Sequence, residues 1–190
     1  MAEIKSKVDK RLFDQELYSR QLVERQIVLN FNEVDEYVEE QFKNYAKKHF
    51  MNRCLKEGYI SGDYIKIISY SAGKIKNSTI VFDVLYEFDV FYPYEGKTLY
   101  AKVQNITKIG IKAVIYDDEK KNPIIVFANR IHNNHIVMGD DTSVTTNGGK
   151  NIYSEGDIIN VKVLGSRFEI NDPCIFTLGE ILESKAKIIY

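Results

Sequence analysis

Cysteine and histidine are scarce in this chain, with two and three among 190 residues. Cys54 and Cys174 stand far apart, and no Cys or His spacing fits a zinc site, so neither a disulfide framework nor a structural metal is expected. The two cysteines read as buried small hydrophobes of an intracellular chain. Tryptophan is absent and proline occurs three times. No run of 18 apolar residues is present, so no membrane-spanning helix is expected. Residues 1–25 lack an apolar central stretch, so no signal peptide is expected either. Charge of one sign is also missing: 26 Lys and Arg oppose 27 Asp and Glu, for a net charge of −1. Any nucleic-acid site must therefore be a local patch.

Motifs for catalysis are equally thin. Gly148-Gly149 is followed by no helix-opening Lys-Ser/Thr pair, so it is no phosphate cradle. No Ser or Cys sits in a nucleophile motif. His132 and His135 have the spacing of a metal pair but no further ligands, and read as surface histidines. Asp117, Asp118 and Glu119 alternate with lysines ahead of a proline and read as a charged hairpin turn. No cofactor and no metal are expected.

What the sequence does contain is alternation. Ile80, Phe82, Val84, Tyr86, Phe88, Val90 and Tyr92 fall on every second position, the period of a strand with one buried face. Most strands run about five or six residues. At roughly 3.3 Å per residue this one would span about 40 Å. Upstream, residues 1–25 read as a mobile or marginally helical extension, and Arg25–Phe31 as a short strand. From Asn32 the period changes to that of a helix: Val34, Tyr37, Val38, Phe42, Tyr45, Ala46 and Phe50 make the apolar stripe. Asn32 is its expected N-cap and Gly58 its expected stop. Tyr64–Tyr70 is a further strand, and residues 71–78 are expected to project as an exposed turn. The sum is an α+β module over residues 26–95, a helix laid on a small antiparallel sheet.

Downstream of Pro93 and Gly96 the chain is strand-rich: 97–105, 109–116, 124–127, 158–165 and 175–182. Gly110 is expected to supply a bulge or bend that lets the sheet curl. Five strands, with a long polar and mobile loop (138–156) between the third and fourth, predict a small OB-type barrel over residues 96–183, followed by a tail, 184–190. The long strand is expected to belong to the first module's sheet at its start and to deliver the chain into the barrel at its end. It would then weld the two modules into a stiff lever.

Several stretches carry a family resemblance. "EGKTLYAKVQNITKIGIKAVI" (95–115) resembles the first two strands of an S1-type OB domain. "GSRFEINDPCIFTLGEIL" (165–182) and "GKIKNSTIVFDVLYEFDVFYPYEG" (73–96) resemble the closing strands and the long strand of one S1 family, the stalk subunits of multisubunit RNA polymerases. That family comprises the eukaryotic seventh polymerase subunit and its archaeal stalk counterpart. The order of elements agrees from Gln26 to Leu182. The resemblance implies a non-catalytic accessory subunit whose first module docks on the polymerase core. A second small helical stalk subunit would pair with it, and the barrel would reach nascent single-stranded RNA. It would work inside the cell with the transcription machinery. Two departures stand out: the extension of residues 1–25, and a turn, "SAGKIKNS", without the proline and second glycine of the family. With a usage rich in Ile, Asn, Lys and Tyr, they suggest the polymerase of a large DNA virus. In that case the host cytoplasm and the virion are the expected locations, and the nucleus if the source is cellular.

Candidate residues follow from these readings. For RNA they are Tyr100, Lys102, Lys108, Lys112, Arg130, Lys162 and Arg167, the cations and the ring placed on outward strand positions or beside them. Ile109 and Ile111 occupy places where many S1 domains carry a stacking aromatic. Tyr100 and Phe168 are the substitutes. For docking on the core they are Ser71, Ala72, Gly73, Lys74, Ile75 and Lys76. For the partner they are Tyr86, Phe88, Val90 and Tyr92, with the internal core as the competing assignment. The competing functions are a free-standing S1 RNA-binding protein, such as a translation factor, and an RNA-processing enzyme with an S1 appendage.

Overall fold

A computed structural model describes residues 17–115, 123–133, 136–138, 143–146 and 152–182. The chain divides into two units. Among the described residues, the first holds 17–92 together with 169–173, and the second holds those of 93–168 and 174–182.

In the first unit the elements run β1 (Ser19–Asn30), a 3-10 turn (Phe31–Glu33), α1 (Val38–His49), β2 (Arg53–Leu55), β3 (Gly58–Tyr70), β4 (Lys74–Lys76) and β5 (Thr79–Phe91). The antiparallel sheet has the order β1-β5-β3-β2, with β4 also paired to β5. β5 is the long alternating strand, and its length has a local purpose. On one side it pairs with β1 without a break, from Ser19 opposite Val90 to Asn30 opposite Thr79. On the other side it pairs first with β3 and then with β4. The expectation that this strand is shared with the barrel is not met: β5 lies wholly within the first unit. Its ladder ends at Phe91, two residues before Pro93, which has no N–H to donate.

One face of the sheet is buried under α1. Phe42 and Ala46 meet Phe82, Val84, Tyr86, Phe88 and Val90 of β5 and Val23, Ile27 and Leu29 of β1. The Tyr86 hydroxyl donates to the Phe42 carbonyl at 3.0 Å, which satisfies the polar end of an otherwise apolar side chain. Each large side chain buried here contributes about 1.5–3 kcal/mol gross. This assigns Tyr86, Phe88 and Val90 to the unit's own core, correcting their expected role in a partner interface. Tyr92, just past the strand, is 46% exposed.

Other boundaries also differ from the sequence reading. β1 begins at Ser19, not Arg25, so residues 19–25 belong to the sheet, and residues 1–16 of the expected extension lie outside the described residues. The alternation of β1 is masked by Arg25, which falls between Val23 and Ile27 on the core side and is held by Glu57 at 2.6 Å. The helix starts at Val38, not after Asn32. Asn30 first caps the short 3-10 turn, its N–H donating to Glu33 Oε2 at 2.7 Å, and Asp35 then accepts from the Tyr37 N–H at 2.8 Å. Gly58 is no helix stop. It opens β3 at φ +134°, where an added Cβ would sit 2.4 Å from the Phe91 carbonyl oxygen. The segment 169–173 joins this unit through Cys54, whose N–H donates to the Asp172 carbonyl and whose carbonyl accepts from the Asn171 N–H, each at 2.8 Å.

The second unit carries all five expected strands: β6 (Thr98–Thr107), β7 (Gly110–Ile115), β8 (Ile124–Asn129), β12 (Ile158–Arg167) and β13 (Ile175–Ile181). Between β8 and β12 lie a 3-10 turn (Arg130–His132) and three short strands, β9 (Ile136–Met138), β10 (Ser143–Thr146) and β11 (Ile152–Ser154). The five strands close into a barrel in the cyclic order β6-β7-β8-β13-β12, with β8 and β13 parallel. Such a closed five-stranded barrel is consistent with the OB type. Leu99, Ala101, Val103, Ile111, Ala113, Ile115, Val126, Ile159, Val161 and Val163 fill its interior. The ladder irregularities fall between Val103 and Asn105 and between Val163 and Gly165, not at Gly110. Gly110 instead permits a close approach, since an added Cβ would lie 2.4 Å from the Ala128 carbonyl oxygen.

The stretch expected as a mobile polar loop, 138–156, starts at the last residue of β9 and includes β10 and β11, and the three strands pair as an antiparallel sheet. The Asp117-Asp118-Glu119 turn, His135 and the tail 184–190 lie outside the described residues.

Candidate functional site

The outer surface of the barrel is built by the residues that alternate with its core. On β6 these include Tyr100, Lys102 and Gln104, and on β12 Asn160 and Lys162. Register pairs Tyr100 with Asn160, Lys102 with Ile158 and Lys162 with Thr98, so Tyr100, Lys102 and Lys162 share one stretch of surface. Lys162 also lies directly across from Glu180 of β13, an opposite charge that offsets its field.

Lys108 and Arg130 come together at one end of the barrel, where the Arg130 N–H donates to the Ile109 carbonyl at 3.1 Å. Ile109 and Ile131 are both largely exposed there. Lys112 on β7 stands opposite Phe127 of β8, and Arg167 on β12 stands opposite Phe176 of β13. The seven residues expected to contact RNA are thus outward or at the rim, but they divide among several places. Phe168 and Tyr100 are both partly buried, more so than Phe127 or Phe176.

Two open rings were not singled out by the sequence reading. Phe127 is 36% exposed and Phe176 54% exposed. They sit on the adjacent parallel strands β8 and β13, where Phe176 pairs with Ile125 and Phe127 with Leu178. The signal was present: in "IIVFAN" and "IFTLGEI" each Phe falls on the strand phase opposite to the core residues. Gly165, Ser166 and Arg167 of β12 complete a groove of about 440 Å³ with them.

In the first unit, residues 71–76 lie where the ladder passes from β3 to β4. Ser71 anchors the passage: its N–H donates to the Asp83 carbonyl and its hydroxyl accepts from the Asp83 N–H, each at 2.9 Å. Ala72, Gly73, Lys74, Ile75 and Lys76 are exposed, and Ile75 is 72% exposed. The expected turn is therefore a β4–β5 hairpin closed by Asn77 at φ 56°, with the Thr79 hydroxyl donating to the Lys76 carbonyl at 3.0 Å. An exposed isoleucine between two lysines, on a hairpin with a defined register, can dock without ordering a loose loop first.

The face of the sheet away from α1 mixes charged side chains with the exposed Leu22 and Val28 of β1. Arg20 pairs with Asp89 at 3.5 Å and lies 4.2 Å over the Tyr64 ring, whose hydroxyl donates to Glu87 at 2.5 Å. That hydrogen bond to Glu87 is the main reason the Tyr64 pKa is raised. Asp83 is held below its ordinary pKa, first by the Gln26 amide at 3.1 Å and also by Lys74 at 3.4 Å. Burial raises the Tyr86 hydroxyl. Among the described residues no group of His, Cys, Asp and Glu has the geometry to hold a metal ion. No helix among them is long and apolar enough to cross a membrane.

No family model matches the chain. It is 26% identical over 145 residues to the RNA polymerase II subunit rpb7 of Dictyostelium discoideum, covering 70% of this chain and 80% of that protein. It is 25% identical over 148 residues to the RNA polymerase II subunit RPB7 of Glycine max, covering 70% of this chain and 77% of that protein. The chain resembles an RPB7-type stalk subunit. Neither relative is viral, and the expected viral source gains no support from them.

Proposed function

We propose that the chain is a non-catalytic stalk subunit of a DNA-dependent RNA polymerase. The observation that carries this is the similarity to RPB7 over most of both lengths, in a chain that places a helix-on-sheet unit before a closed five-stranded barrel. The exposed hairpin, Ser71 to Lys76, docks on the polymerase core. A second small helical subunit pairs with the chain, and of the four residues first expected to receive it, Tyr92 keeps an exposed ring. The barrel contacts nascent RNA through separated cations. It binds weakly and without sequence choice, because phosphate contacts carry no base information. The protein works inside the cell with the transcription machinery.

Tagged chain recovered from its source tests this reading. It should co-purify at one copy per polymerase, together with the second stalk subunit, and replacement of residues 71–78 should abolish that association. Recovery alone or with ribosomes would instead support a free-standing RNA-binding protein and overturn the proposal.

A further inference from the structure

OB barrels commonly use the face of their second and third strands for oligonucleotides. Here that face has little to offer a base on the second strand. The outward positions of β7 are Gly110, Lys112 and Val114, and Gly110 and Val114 are buried. The open positions lie beside it, at Phe127 on the third strand, β8, and at Phe176 on the neighbouring β13, above the groove that Gly165 and Arg167 of β12 complete. We propose that this groove is a stacking subsite for an unpaired base of single-stranded RNA, bound on the β8–β13–β12 face.

The inference rests on the RNA-contact reading above and is carried by three further observations. The groove is aromatic and aliphatic, with Ile125 and Leu178 beside the two phenylalanines, and none of the residues lining it bears a carboxylate. Cations flank the rings on both sides, Lys112 opposite Phe127 and Arg167 opposite Phe176. That is the combination of flat apolar surface and phosphate-neutralising charge that single strands require. Gly165 keeps the groove open: an added Cβ there meets nothing within 4 Å, so a side chain at this position would occupy space that belongs to the ligand and not to the core.

The chain has no tryptophan, so Phe176→Trp gives the full-length protein a single indole inside the groove. Oligouridylate and oligoadenylate of about a dozen nucleotides are the probes, in low salt, where phosphate contacts are strongest. The indole fluorescence should be quenched on binding. Gly165→Leu and Phe176→Ala, with unchanged melting temperatures, should each weaken RNA affinity about ten- to a hundredfold, the worth of one stacked base. RNA binding without quenching, and undiminished in both variants, would overturn the groove while leaving the RNA reading of the barrel intact. No RNA binding by the unaltered chain, alone or in the assembled polymerase, would overturn that reading as well. An indole signal that changes on polymerase assembly but not on adding RNA would assign the groove to a protein partner and overturn the proposal.

Discussion

Asn133 carries more of the barrel than its place in "RIHNNHIV" suggests. Its side chain is fully buried, its amide nitrogen donates to the carbonyls of Asn129 and Gly179, and its amide oxygen accepts from the Ile181 N–H at 2.6 Å. It ties the turn after β8 to β13. Asn133→Leu strands an N–H and two carbonyls in an apolar setting, and should lower unfolding free energy by about 2–4 kcal/mol in urea titrations. Its conspicuous neighbour His132 is exposed. The sequence offered two histidines as the point of interest, whereas the structural residue between them has no pattern of its own. A second expectation concerns Asp83. Its pKa is depressed by Gln26 and Lys74, so its contribution to stability is present above the ordinary carboxylate pKa and is lost as pH falls through the depressed value. Asp83→Asn should flatten the acid limb of a plot of urea midpoint against pH. An unchanged limb would show that the depressed carboxylate has no part in stability.

At the scale of elements, a stripe in one segment needs a stripe in another. The alternation of β5 identified the residues that share a face, but not what that face meets. The helical stripe of α1 supplies Phe42 and Ala46, and the two stripes cover each other. Tyr86 therefore belongs to the core and Tyr92, one step past the ladder, to the surface. Tyr86→Ala should cost about 3–5 kcal/mol, as large-to-small core changes do. Tyr92→Ala, at a half-exposed position, should cost about 1 kcal/mol or less. Equal effects in thermal or urea unfolding would contradict this division. The five barrel strands were legible because each is a short apolar or alternating run bounded by turn residues. The start of β1 was hidden because Arg25 sits on the core side, where the Glu57 carboxylate, 32 positions away in the chain, and the Glu24 carbonyl hold its guanidinium. Likewise the start of α1 was obscured, because Val34 and Tyr37 keep the helical period across a capped 3-10 turn and a bend that precede it.

For the whole molecule, a net charge of −1 leaves RNA affinity to a few local cations. Binding should therefore fall with added salt, by a modest slope in a plot of log affinity against log salt. Charge reversal at Lys102 and Lys108 should reduce that slope by about 0.7 for each phosphate no longer neutralised, the value for single strands. An unchanged slope and affinity would remove those positions from the RNA path. Charge reversal at Lys112, beside the Phe127 ring, should lower both the slope and the affinity.

By itself the sequence determined the periods: which of its long segments follow strand or helix spacing, and which residues within each point together. Those properties follow from local geometry, because a side chain's direction repeats every two residues in a strand and every 3.6 in a helix. Tertiary structure decided what each face touches: that Tyr86, Phe88 and Val90 meet the protein's own helix, that β5 belongs to one unit, and that Phe127 and Phe176 line one groove. These depend on pairings between residues far apart in the chain, and the parallel register of β8 with β13 leaves no trace in the period of either strand.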